Sequence, residues 1–439
     1  MVSFVFIDVA FLIIFSIAVT LFLYKRRTKL DKEGIMFLYR TQLGVKFINA
    51  FSKKYGKILK AISPLVILVG YILMVIMVYL LYQTTSIYVT VPNITDVISA
   101  PPVMPLIPYF PQIFGVESLM PPFYFTYFIL ALLIVAVVHE FSHGIFMKTF
   151  GVKIKSTGFA FLGPILGAFV EEEKRGFKKK KIKEQLTILG AGVFANIIFA
   201  LIFFILLIGF FHMSYTPIGY NLNIYVTENG SANNQFLNDL NLSAENLTSA
   251  EIKNLTFYFD SNNRIMGNLG TLEKLDNKQI FSSEDIKKVL ENKNEMDIVP
   301  VTILLNGAEK KYNFTLNKNV KTGKIFIGFG NTQQRPKTVK NKILDFFTVK
   351  KQTTEYAPNF ETADFFYNLI WWVMVINFLV GLFNMLPLGI LDGGRFFYLT
   401  VLAITGKKKT SEKAYKLVGK LILLMFILMM VFYFINLFS

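Results

Sequence analysis

The stretch Val137 to Phe146 reads VVHEFSHGIF, inside an apolar run that extends from about 122 to 147. His139 and His143 are four residues apart, so on a helix both imidazoles project from one face and can bind one Zn²⁺. Glu140 sits beside them, placed to take a proton from a water at the metal. Ionisable groups inside an apolar helix are expensive and usually functional. The chain has three histidines, and two of them form this pair. That placement favours a metal site over the bland alternative, a chance spacing of hydrogen-bonded core histidines.

Of the 439 residues 53% are hydrophobic, with 46 Phe, which points to a membrane protein. Six stretches are long and apolar enough to cross a roughly 30 Å hydrocarbon core, near 4–24, 61–82, 122–147, 186–211, 366–388 and 417–437. The first lacks a basic leader and a small-residue cleavage site, so it reads as a retained span. The formal charge of +17 comes from Lys and Arg clustered between apolar runs. That pattern fits anionic lipid headgroups and argues against a nucleic-acid partner. The basic stretch Lys178 to Lys183 reads as a cytoplasmic anchor. Cysteine is absent, which excludes disulfides and thiolate ligands.

Orientation follows from the loops. Residues 25–60 carry eleven Lys and Arg, 84–121 carry none, and 148–185 and 406–416 are basic again. The positive-inside rule then puts both termini outside and the histidine pair toward the cytoplasmic face. The six Asn-x-Ser/Thr sequons (Asn93, Asn229, Asn241, Asn246, Asn254 and Asn313) fall on the predicted outside, although Asn is also simply common in exposed segments. Asp8 and the run Glu171 to Glu173 read as solvated or headgroup-level charges, and His212 as an interfacial side chain.

Residues 213–365 differ in kind, being polar and long enough for a soluble domain. Ser282 and Ser283 before Glu284 and Asp285 predict a capped helix start. Asp297 to Leu305, the turn pair Asn306–Gly307 and Lys310 to Leu316 predict a hairpin, and Lys324 to Phe329 a further strand. The expectation is a small α/β domain outside the membrane.

Zinc in a catalytic site takes three protein ligands and keeps one position open. From Phe123 to His139 is 16 residues, roughly 24 Å of helix, so a partner must reach the same depth. The fifth span runs in the same direction and ends in NMLPLGILDGGRFF, residues 384–397, where Asp392 is the only acid. Its depth matches if Pro387 and Gly389 break the helix there. The competing reading is an ordinary interfacial acid at the end of a span.

With these residues in view, HEFSHG on one span and NMLPLGILDGG on a later one resemble the two signature motifs of the site-2 protease family. LGAGVFANII (189–198) resembles that family's Gly-rich Asn motif, and STGFAFLGPILGAFVEEEK (156–174) its membrane-associated β-hairpin region. KLDNKQIFSSEDIKKVLENK (274–293), VTILLNGAEKKYNFTL (301–316) and KIFIGFG (324–330) resemble the second half of a bacterial-type PDZ domain. The first half departs from it, with residues 240–268 looking inserted. Gly389 stands where many family members carry a second Pro, and AGVFAN lacks the usual Gly-Pro before its Asn. Residues 1–121 show no comparable signature.

The resemblance implies a multi-pass α-helical membrane protein of about six spans, with a membrane-associated β-hairpin region and a small extracytoplasmic α/β PDZ-like domain. The implied division is 1–121, two N-terminal spans; 122–212, the first part of the catalytic core; 213–365, the PDZ-like domain; and 366–439, the second part of the core and a last span. It implies one Zn²⁺ per chain held by His139, His143 and Asp392, with Glu140 as general base. Asn196 and Asn384 would bind substrate backbone or stabilise the oxyanion; the alternative for both is helix–helix hydrogen bonding. The reaction would be hydrolysis of peptide bonds in or near the spans of membrane-anchored proteins, with the outer domain controlling access. Two rivals stand beside it. A prenyl-protein-type zinc protease would take its third ligand from a downstream Glu, and neither the fourth nor the fifth span has one. A non-catalytic peptide-binding scaffold would not need all three ligands.

Overall fold

The computed structural model describes residues 4–91, 101–116, 120–163, 165–173, 176–226, 257–259, 265–305, 308–318, 323–327, 329–331, 349–351, 353–389 and 391–438. The chain divides into two compact units, residues 1–207 with 365–439, and residues 208–364. The helices, in chain order, are α1 (Phe4–Lys25), α2 (Leu43–Ala61), α3 (Ser63–Thr90), α4 (Phe125–Thr149), α5 (Ile182–Ser214), α6 (Ser283–Leu290), α7 (Ala363–Phe383), α8 (Asp392–Thr405) and α9 (Lys408–Phe438). Among the described residues six helices, α1, α3, α4, α5, α7 and α9, are long and apolar enough to span a bilayer. This is an integral membrane protein.

The basic segment between the first two spans is not an open loop. Its first part forms a hairpin, β1 (Leu30–Glu33) and β2 (Met36–Thr41), and its second part is α2. Helix α2 is amphipathic. Ile48, Ser52 and Leu59 are buried on one face, while Lys46, Lys53, Lys54, Lys57 and Lys60 stay exposed. The buried face lies on α4, where Ser52 Oγ donates to the Ile145 carbonyl at 2.9 Å. Gly144 leaves room for Ile48 there; a Cβ would come within 2.8 Å of its Cδ1.

Strand β2 pairs antiparallel with β3 (Ile154–Leu162), which pairs with β4 (Ile165–Glu172), giving the order β1-β2-β3-β4. Arg40 on β2 bonds Glu171 on β4 at 2.9 Å and also reaches Asp31 and Glu33. Lys155 and Ser156 complete the set around Glu171, at 2.8 and 2.9 Å. The Lys155 hydrogen bond, helped by Arg40 and Ser156, holds the Glu171 carboxyl down at about 2. Glu171 is therefore a partnered charge that pins the N-terminal hairpin to the sheet, where the sequence suggested a solvated one.

Asp8 is the larger correction. It is 1% exposed, and its carboxylate accepts from the Phe125 and Thr126 amides at 2.8 and 2.9 Å and from the Tyr109 and Thr126 hydroxyls at 2.5 Å each. These amides are unpaired donors at the start of α4, so an acid on α1 caps the helix that carries the histidines. Four donors around one carboxylate remove the need for water.

Helix α7 ends at Phe383 and α8 begins at Asp392, so the expected fifth span breaks around Pro387 and Gly389. The connecting turn folds back on itself, with Gly393 N–H donating to the Asn384 carbonyl at 2.8 Å and Gly394 N–H to Leu391 at 3.1 Å. A Cβ on Gly393 would lie 2.3 Å from the Met385 carbonyl carbon, and one on Gly394 2.1 Å from the Leu388 oxygen. Those obstacles are backbone and cannot swing aside. Gly393→Ala and Gly394→Ala are each expected to cost about 1–3 kcal/mol, the range for overpacking, read as lowered thermal stability in detergent.

In the second unit an antiparallel sheet runs in the order 308–315, 298–305, 265–275, 215–226, 329–331, with 354–358 also paired to 215–226. Leu272, Val299, Ile303 and Phe314 are fully buried in its core. Ser282 caps α6, accepting the Asp285 amide at 3.3 Å, while the Asp285 carboxylate accepts the Phe281 amide at 3.1 Å. Leu305 and Ala308 pair across the expected hairpin end; Asn306 and Gly307 lie outside the described residues, as do five of the sequons. The single strand expected over 324–329 is two short ones, 325–326 pairing with 317–318 and 329–331 pairing with 215–226.

Candidate metal centre

Three elements meet at the site. Helix α4 presents His139 and His143 from one face, and the first turn of α8 presents Asp392. Helix α5 packs against both imidazoles. His139 Nε2, His143 Nε2 and Asp392 Oδ2 form a triangle with all three edges 3.1 Å. They are the one His/Asp/Glu cluster among the described residues with metal-ligand spacing. Ligand atoms about 2.0–2.1 Å from a tetrahedral Zn²⁺ stand roughly 3.3 Å apart, so the triangle is close to a tripod that a zinc ion would occupy. Both histidines are 7% exposed, while the Asp392 side chain keeps 22% of its surface. The open side is where a water and a scissile carbonyl would approach.

The second nitrogens support the same reading. His143 Nδ1 lies 2.7 Å from the Ile188 carbonyl. A carbonyl only accepts, so Nδ1 carries the proton and Nε2 keeps its lone pair for a metal.

Glu140, next to His139, is half-buried and accepts the Val170 amide of β4 at 3.3 Å. The edge of β4 away from β3 therefore faces the general-base candidate. Asn384 directly follows α7 and lines an apolar cavity of about 640 Å³ together with Met77, Leu81, Phe110, Leu379 and Met429. Its backbone carbonyl accepts the Gly393 amide, next to Asp392, at 2.8 Å.

Asn196, expected from the sequence at the substrate or oxyanion, contacts a ligand ring. It is completely buried, with its carboxamide 3.1 Å from His139 Nδ1, behind the ring and away from the triangle. Gly192, one turn earlier, is a site residue that sequence reasoning missed. A Cβ there would lie 2.4 Å from His143 Nε2 and 2.7 and 2.8 Å from His139 Cε1 and Nδ1. The signal that could have found it is a glycine four residues before Asn196, on the same helix face.

The match to known proteins decides the family. The family model for peptidase family M50 covers residues 127–430, which includes every residue of this site. The chain belongs to peptidase family M50, the site-2 proteases. A Methanocaldococcus jannaschii protein named "Uncharacterized protein MJ0971" is 28% identical over 395 residues, 87% of this chain and 83% of its own length. A Fusobacterium nucleatum protein named "Putative zinc metalloprotease FN1322" is 25% identical over 342 residues, 70% of this chain and 91% of its own. As an M50 member with six apolar spans, the protein is a membrane metalloprotease, and the tripod on α4 and α8 is its candidate zinc site.

Proposed function

We propose that this protein is a membrane-embedded zinc endopeptidase that cuts membrane-anchored proteins within or beside their spans, as in regulated intramembrane proteolysis. The observation that carries the reading is the buried tripod on apolar helices, with a carboxylate one residue from its first ligand. His139, His143 and Asp392 would hold one zinc, which when bound polarises the scissile carbonyl and acidifies the attacking water. Glu140 accepts the proton of that water and returns it to the leaving amine. Its Val170 hydrogen bond keeps the carboxylate oriented beside the site.

A helical substrate hides its carbonyls in its own hydrogen bonds and must unwind to be cut. Among the described residues β4 pairs with β3 alone, and its other edge, beside Glu140, offers a strand to which an unwound segment can add, in a hairpin that we place at the membrane. Asn384, at the rim of an apolar cavity, can bond a substrate peptide group. The Lys/Arg distribution supports a topology with both termini and the 213–365 domain outside and the zinc toward the cytoplasm. We read that domain as PDZ-like and as the element that screens substrates by their outer parts.

The test compares membrane proteomes of cells carrying the active enzyme and Glu140→Gln. Short membrane-protein fragments should vanish in the variant while uncut precursors accumulate. Identical fragment sets in both strains would contradict the reading.

A further inference from the structure

Helix α5 packs against both histidines through three residues spaced four apart, Ile188, Gly192 and Asn196, which therefore share one helix face. Ile188 supplies a carbonyl to His143 Nδ1, and Gly192 removes the side chain that would strike both rings. Asn196 supplies a carboxamide to His139 Nδ1. We infer that Asn196 is a positioning residue that selects the metal-binding tautomer of His139 by accepting, through Oδ1, a hydrogen bond from its Nδ1–H. This rests on the proposed zinc site.

A zinc ion on Nε2 requires the proton on Nδ1, and that buried N–H then needs an acceptor. As placed, the amide turns Nδ2 to the ring, an orientation suited to the opposite tautomer, in which Nε2 carries the proton toward Asp392. In that orientation Asn196 Oδ1 is buried with no hydrogen-bond partner, a costly state inside a bilayer. A half-turn of the amide about its last side-chain bond exchanges the two ends. It points the orphaned oxygen at Nδ1–H and frees Nε2 for the metal. The two histidines thus receive the same kind of support from one helix face, a backbone carbonyl for one and a side-chain carbonyl for the other.

The test uses the purified 439-residue chain with Asn196→Asp, which can only accept, and Asn196→Leu, which can do neither. Zinc affinity is measured by chelator competition. The His139 ring protonation is read by nitrogen NMR of ¹⁵N-histidine-labelled protein, where three histidines make assignment tractable. The inference expects Asn196→Leu to weaken zinc about 10–100-fold, the effect of losing such a partner, and to lose the protected Nδ1–H signal. Asn196→Asp should bind zinc within a few-fold of the unmodified protein and keep that signal. Equal damage from Asp and Leu would show that the amide acts as a donor and overturn the inference. Unchanged zinc affinity in Asn196→Leu, with or without a fall in turnover, would overturn it too. If His143→Ala/Asp392→Asn still holds zinc, the site itself is wrong and the inference goes with it. An empty double variant beside a normally loaded Asn196→Leu sinks only the role of Asn196.

Discussion

Gly192→Ala is expected to empty the zinc site and lower peptide hydrolysis by at least about 100-fold, because one added methyl has nowhere to go. It would enter within 2.4 Å of His143 Nε2 and within 2.8 Å of His139 Nδ1. Either α5 retreats or the two imidazoles swing, and both rings are already committed to partners on α5 and α8. A shift of about 1 Å in a reacting constellation can cost on the order of 10²-fold in rate. Gly209→Ala on the same helix is the control, since a Cβ there meets nothing within 4 Å. Zinc content and cleavage of a membrane-peptide substrate should fall in the first variant and stay unchanged in the second. Normal activity in Gly192→Ala would show that the rings do not rest where the structure puts them.

Glu140→Gln should separate metal binding from chemistry. Glutamine keeps the shape and can still accept the Val170 amide, but it cannot take a proton from the attacking water. General-base catalysis contributes typically about 10²–10⁴-fold, so kcat should fall in that range while zinc content stays at the unmodified level. Because Glu140 is not a member of the tripod, a variant that loses zinc as well would mean that the carboxylate holds the metal, directly or through its neighbours.

These expectations draw unequally on sequence and structure. The six apolar helices are legible because hydrophobic runs of about twenty residues between basic loops seldom occur outside membrane proteins. The histidine pair is legible from a spacing of four, and the depth argument brings Asp392 toward it. The β1–β2 hairpin is not. Its strands are short and charged, and its partner, β3, lies more than a hundred residues later, so nothing local announces the pairing. Asp8 escapes the sequence for a related reason. A carboxylate near the end of a span looks the same in sequence whether headgroups or a buried helix terminus receive it, and only the packing of α1 on α4 decides. Gly192 and the rear contact of Asn196 depend on which face of α5 meets the rings, and an almost uniformly apolar helix carries no periodicity to mark that face.

One metal held by three residues from two helices is the centre of the proposed chemistry. Zinc bound to purified protein, measured by elemental analysis, tests it most directly, with His143→Ala/Asp392→Asn alongside. The unmodified protein should carry about one zinc per chain, as a single three-ligand site requires, and the double variant essentially none. Full zinc occupancy in the double variant would contradict the account.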